Sequence, residues 1–247
     1  MKKSPKLLLV LVCFVFVNII GTPVSEADVA VTTGAGYKTM LEELSAAFRE
    51  SGGNIEEMYG GNIGQMLAQI RQGSGANVVV SDKSSLDAVS QGIEFESYEN
   101  LGDAPLVLAW RKGINIKSPN DLENDEVTSV CHPDSQAAIY GRAASQLLES
   151  SGIGKNIEGK LSVVSTVPQV FAYLASSEMD VGFINRVMIL NGSGRLGGGL
   201  EITEGYTPIF MVAAVLKGNG DDPQVVKFLE FLRSEQGKAI LQKNGVW

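Results

Sequence analysis

The chain has 247 residues, 44% of them hydrophobic and 19% charged, which suits one or two compact domains with a real core rather than a disordered chain. Its formal net charge of −8 argues against nucleic acid or an anionic membrane surface as partner, since both call for basic patches. A small anion stays possible, because backbone N–H groups in a closed cleft hold one without a cationic side chain.

Lys2, Lys3 and Lys6 precede an apolar run over residues 7–17, and Ser25-Glu26-Ala27 supplies small residues where a signal peptidase reads. Residues 1–27 are therefore expected to be a secretory signal peptide, since the apolar run is too short to span a bilayer and no stop-transfer charges follow. Removing it makes the chain more acidic and leaves a periplasmic protein. Cys13, preceded by Val12, lies outside the small-residue context of a lipid anchor. Once it is gone Cys131 is the one remaining cysteine, so no intramolecular disulfide is expected and the core must supply the stability.

Val29 and Val31 favour a strand, and Thr33-Gly34-Ala35-Gly36 is too small and flexible to continue it. Met40, Leu41, Leu44 and Phe48 then recur at helical spacing. That turn opens onto a helix N-terminus, whose free N–H groups and dipole make an anion site. Residues 54–59 read as a second strand, and Gly60-Gly61-Asn62 as the turn before a helix carrying Ile63, Met66, Leu67 and Ile70. A third strand at 77–80 runs into Ser81-Asp82-Lys83-Ser84 and another helix. Strand, small polar turn and helix thus repeat three times, the pattern of a βαβ sheet whose ligands sit at the strands' carboxyl ends.

The middle of the chain repeats the design. Strands are expected at 106–110, 127–130, 161–164 and 181–184, with helices marked by Ile139, Ala143 and Leu147 and by Val170, Phe171 and Leu174. Residues 191–199 hold five glycines and read as a mobile surface loop. A long apolar strand at 209–216 returns the chain, and two amphipathic helices follow, at Val225 to Leu232 and at 234–241. Two α/β lobes are the simplest account.

Several side chains invite a chemical role. Cys131 and His132 are adjacent, and a thiolate beside an imidazole suits a nucleophile or a soft-metal site. Neighbours on a strand point to opposite faces, however, and a lone histidine leaves no base for a serine triad, so an enzyme is not expected. Asp82 and Asp134 stand where helix caps belong; facing a cleft together, they would suit a cation or an amine-bearing solute instead. Arg142 and Arg186 are most simply surface residues.

The order and spacing of these segments resemble those of the periplasmic molybdate-binding proteins of ABC transporters, within the two-lobed solute-binding proteins. The likeness is carried by the small-residue loop before YKTMLEELSAAF, by GGNIGQMLAQIRQGSGANVVVSD, PDSQAAIYGRAASQLL and SEMDVGFIN, and by FLEFLRSEQGKAILQKNGVW. It implies an α/β, two-lobe type II periplasmic-binding-protein fold with two mixed or parallel sheets. Residues 28–105 plus 217–247 would form one lobe and 106–216 the other, with crossing strands near 106–110 and 209–216. It also implies a small oxyanion held between the lobes, an ABC transporter permease as partner, no cofactor, no nucleic acid and a monomer. A cation or small organic solute, or a sensor in place of a transporter, is the alternative.

The family's pattern places a serine at the slot of Gly36, twelve residues before Phe48, and another at the slot of Ile63. It often has a tyrosine at the slot of Asn185. The likeness therefore implies backbone N–H donors at Gly36 and Ile63, main-chain contacts at Ala137 and Val167, and Thr33, Asn62 and Ser135 as nearby polar substitutes. Cys131 and His132 remain the alternative metal pair.

Overall fold

The structure is a computed structural model that describes residues 28–192 and 194–247. The expected signal peptide, with Cys13, lies outside the described residues. Strand β1 (Val29–Gly34) passes through a 3-10 turn (Ala35–Tyr37) into α1 (Lys38–Glu50). There follow β2 (Ile55–Gly60), α2 (Ile63–Arg71), β3 (Val78–Asp82), α3 (Lys83–Val89) and β4 (Phe95–Asp103). The second run comprises β5 (Leu106–Trp110), β6 (Val130–Pro133), α4 (Ile139–Ser150), α5 (Ile153–Asn156) and β7 (Leu161–Val164). It continues through α6 (Val167–Ala175), β8 (Val181–Asn185), α7 (Arg186–Asn191) and β9 (Gly198–Ile202). The chain closes with β10 (Phe210–Leu216), α8 (Pro223–Arg233) and α9 (Glu235–Lys243).

Two five-stranded mixed sheets result, ordered β2-β1-β3-β10-β4 and β7-β6-β8-β5-β9. Each has a parallel trio joined through helices, then one strand antiparallel to it, β10 or β5, and an edge strand, β4 or β9, antiparallel to that one. This is the expected α/β architecture. The central strands of the first sheet are buried on both faces, and their side chains alternate to match: Val78 and Val80 pack with Leu41, Leu44, Phe48 and Phe228, whereas Val79, Val212 and Ala214 pack with Ile63, Met66, Leu67 and Leu86. Phe48 meets Phe228 edge to face, with ring centroids 5.2 Å apart.

Several expectations need correction. The segment at 209–216 does not lie in the second half as a crossing strand: β10 pairs with β3 and β4 in the first sheet. Nor does 106–110 cross, because β5 sits inside the second sheet between β8 and β9. The crossings are two short connectors, at 104–105 and 203–209, joined where Ala104 N donates to Ile209 O at 3.0 Å. The boundary drawn at 216 therefore moves to before Phe210. The reason is physical: the alternating faces of β10 fit both layers of the first core, and a length of apolar strand does not say which sheet it joins.

The glycine-rich stretch is also not loop throughout. Gly198 and Gly199 begin β9 and pair with Trp110 and Ala109, because a Cβ on Gly198 would collide with the Trp110 indole. Strand β4 escaped the sequence reading since its polar residues mark a mostly exposed edge. The strand expected at 127–130 runs instead over Val130–Pro133.

Candidate functional site

The carboxyl ends of the parallel strands in both sheets deliver the chain into helix starts, and four of these starts meet around one small cavity of about 40 Å³. From the first half come Gly34, Ala35, Gly36 and Tyr37 ahead of α1, and Gly61, Asn62 and Ile63 at the start of α2. From the second come Ala138, Ile139 and Tyr140 at the start of α4, and Thr166 and Val167 at the start of α6. Val80 and Ser81, at the end of β3, complete the wall.

Local chemistry fixes each start. Asn62 caps α2 by accepting from Gln65 N at 2.9 Å. Thr166 caps α6 by accepting from Gln169 N at 3.4 Å, while the Gln169 side chain accepts from Thr166 N at 3.0 Å. These caps satisfy the third N–H of each helix. The first N–H of α2, on Ile63, and of α6, on Val167, have no hydrogen-bond partner among the described residues. Pro168, next along α6, has no N–H to offer.

The halves touch directly around the cavity. Asn185 Nδ2 donates to Gly36 O at 2.9 Å, Gly64 N to Ala137 O at 3.2 Å, and Asn62 Nδ2 to Ser165 O at 3.4 Å. The Tyr37 and Tyr140 hydroxyls are hydrogen-bonded to one another across the same gap. These bonds hold the halves together over the cavity, in a closed arrangement.

Among the described residues, no lysine, arginine, aspartate or glutamate lines the cavity. Asp82, close by and 1% exposed, spends its carboxylate on Ser85 N and Ser84 Oγ, each at 2.8 Å, and on Phe210 N at 3.0 Å. Asp134 likewise accepts from Gln136 N and Ala137 N at 2.8 and 2.9 Å. Asp82 is the N-cap of α3, as the sequence suggests, whereas Asp134 caps no helix: α4 begins at Ile139 behind Ala138, and the Asp134 carboxylate closes the turn that leads there. The wall is thus electrically neutral, with helix-start N–H groups and hydroxyls as its polar equipment.

A family model described as bacterial extracellular solute-binding protein matches residues 29–246. The chain belongs to that family. A molybdate-binding protein, ModA of Rhodobacter capsulatus, is 25% identical over 234 residues, covering 90% of this chain and 89% of that one. The periplasmic molybdate-binding protein of Azotobacter vinelandii superposes with a TM-score of 0.78 at 22% identity, covering 89% of this chain and 99% of that one. A periplasmic thiamin-binding protein shares the fold with a TM-score of 0.71 at 15% identity, covering 90% of this chain and 83% of that one. These relatives are binding proteins, and this chain is a solute-binding protein rather than an enzyme.

Of the residues singled out by sequence, Gly36, Asn62, Ile63 and Val167 line the cavity of this solute-binding protein. Asn185 stands just behind it, fully buried, with its amide nitrogen on Gly36 O and its oxygen capping α7 through Met188 N at 3.0 Å. Three others do not line it. Thr33 turns into the sheet and donates to Val80 O at 2.8 Å. The N–H of Ala137 is taken by Asp134 and its carbonyl by Gly64. Ser135 is half-buried outside the lining. The sequence reading missed Tyr37, Tyr140, Ser81 and Thr166, although the threonine-proline start of α6 was a usable cap signal.

The geometry lends the metal alternative no support. Cys131 is fully buried, and burial pushes its thiol up to about 12. His132 is 8% exposed, with Nδ1 2.7 Å from Pro133 O, beside a groove that includes Glu149 and Lys155 and is separate from the cavity. Among the described residues no three of His, Cys, Asp or Glu are grouped to hold a metal. Arg186 also departs from expectation: it is 7% exposed, paired with Glu201, with its guanidinium carbon 3.2 Å from the Trp247 ring centroid.

Proposed function

We propose that this solute-binding protein captures a small tetrahedral oxyanion, with molybdate or tungstate as the best single choice, by closing its halves on it outside the cytoplasmic membrane. It then hands the anion to the permease of an ABC transporter. The observation that carries this reading is the meeting of four helix starts, two from each half, on one small cavity. Each start presents the positive end of its peptide dipoles, so their sum favours negative charge where no counter-ion is needed.

Size supports the same class. One water takes roughly 10–15 Å³ by this measure, so about 40 Å³ suits a guest of a few heavy atoms. The unpartnered N–H groups of Ile63 and Val167 lie on opposite halves, so a guest bonded to both rewards closure. The hydroxyls of Ser81 and Thr166 stand in for those absent at positions 36 and 63. The molybdate-binding relatives favour the named anion. The basic, apolar leader at residues 1–27 favours export to the periplasm.

Calorimetric titration with molybdate, tungstate, sulfate and phosphate tests the assignment. Binding of at least one of the four at micromolar or lower Kd is expected. No heat from any of them overturns the oxyanion class.

A further inference from the structure

Two phenols line the cavity whose arrangement goes beyond holding the halves together. Tyr37, 3% exposed, belongs to the first half and Tyr140, 2% exposed, to the second; their rings lie 6.3 Å apart between centroids and their hydroxyls are hydrogen-bonded. The Tyr140 hydroxyl has a second acceptor in reach, the Ala104 carbonyl at 3.3 Å, on the first connector between the halves.

A phenol has one proton and can accept as well as donate, so the two arrangements can be counted. If Tyr140 donates to Ala104, Tyr37 donates to Tyr140, and the Tyr37 oxygen offers only lone pairs to anything else. If Tyr140 donates to Tyr37, the Tyr37 proton is released for a third group. Tyr37 is therefore an acceptor in one arrangement and a donor in the other. Among the described residues, no carboxylate lines the cavity to accept from a proton-bearing guest.

Burial pushes both phenols above their ordinary range, so both keep their protons throughout the neutral range. The other titratable groups facing the pair are Asp82, whose carboxylate is spent on Ser84, Ser85 and Phe210, and Tyr206. The Tyr206 hydroxyl accepts from Leu106 N at 3.0 Å and donates to Ile202 O at 2.6 Å. Neither titratable neighbour is left to compete for the Tyr37 proton, and the Asn185 amide, which also reaches the Tyr37 hydroxyl, has its oxygen engaged by Met188 N.

Resting on the oxyanion reading above, we propose that Tyr37 is a binding residue for the guest and Tyr140 the positioning residue that sets its polarity. The cleft then takes an oxyanion either fully deprotonated or carrying one proton. A deprotonated anion draws the Tyr37 proton to itself. A protonated anion donates to Tyr37 while the chain runs from Tyr37 through Tyr140 to Ala104.

The test is calorimetric titration near neutral pH of the wild type, Tyr37→Phe and Tyr140→Phe. The probes are molybdate and sulfate, which carry no proton there, and phosphate, which always carries at least one. Wild type should bind molybdate and also phosphate. Tyr37→Phe should weaken both by about 10–100-fold, the loss of one hydrogen bond to a charged group. Tyr140→Phe removes the phenol that takes the Tyr37 proton and leaves the Asn185 amide as its remaining side-chain neighbour, so phosphate should lose about tenfold or more against molybdate and sulfate. A merely structural Tyr140 would weaken all three anions equally, and that result overturns the inference. So does unchanged affinity in Tyr37→Phe, or a wild type that binds molybdate and refuses phosphate. Silence of the wild type towards every anion would instead bring down the oxyanion reading itself.

Discussion

Asp180 shows how a single buried carboxylate holds the second half at the end of the sheet away from the cleft. It is 4% exposed and accepts from Thr128 N and Thr128 Oγ1, both at 2.7 Å, from Ser129 N at 3.1 Å and from Arg111 Nε at 2.7 Å. It thereby clips the end of β5 and the approach to β6 to the start of β8. Burial alone would raise its carboxyl, but the Thr128 bonds and the Arg111 guanidinium outweigh it and hold the group down to about 2. A carboxyl with a depressed folded value stabilises the fold above its unfolded value, near 4, and loses that contribution as pH falls towards 2. Asp180→Asn should cost about 2 kcal/mol near pH 7, read by urea unfolding, and the gap from wild type should close between about pH 4 and pH 2. A gap that does not change with pH would contradict this. Anion affinity should stay as in wild type, since the site lies at the opposite strand ends.

At the scale of elements, the cavity depends on how closely each helix start approaches a strand end. Helix α4 shows the tightest case. A Cβ on Gly141 would lie 2.6 Å from the Asp134 carbonyl carbon and closer still to the Pro133 and Asp134 oxygens, so only glycine lets α4 seat against the end of β6. That seating presents Ala138, Ile139 and Tyr140 to the cavity. Gly141→Ala should destabilise the protein by about 1–3 kcal/mol, the usual cost of overpacking, and weaken anion binding by displacing Tyr140. A melting temperature and affinity equal to wild type would show that α4 is free to shift.

The helix starts themselves were legible in the sequence. The turns at Gly34-Ala35-Gly36 and Gly60-Gly61-Asn62 and the proline at 168 each follow a strand, and the rule placing ligands at strand carboxyl ends does the rest. Tyr37 and Tyr140 were not legible, because an aromatic residue near a helix start looks like ordinary core, and their pairing spans 103 residues. Thr33 misled for the opposite reason: a polar residue beside a glycine turn looks available until the sheet claims its hydroxyl.

For the molecule as a whole, two connectors and one terminal segment govern how the halves sit. Trp247 pairs with Asp103 in both directions, N to O at 3.2 Å and O to N at 2.7 Å, while its ring covers Arg186 of the second half. Arg186 follows Asn185, whose amide reaches Gly36 beside the cavity, so the clasp at the connectors and the wall of the cleft share adjacent residues. The halves were foreseeable from repetition along the chain. Which half owns β10 was not, since that depends on sheet order, which local pattern does not encode.

The account rests on an anion held in the small cavity by N–H groups and hydroxyls of both halves. Crystals grown with tungstate, a strong anomalous scatterer, test this directly. A single anomalous peak is predicted between the starts of α2 and α6, within hydrogen-bond distance of Ile63 N and Val167 N. Peaks confined to surface lysines or arginines, with the cavity empty, would contradict it.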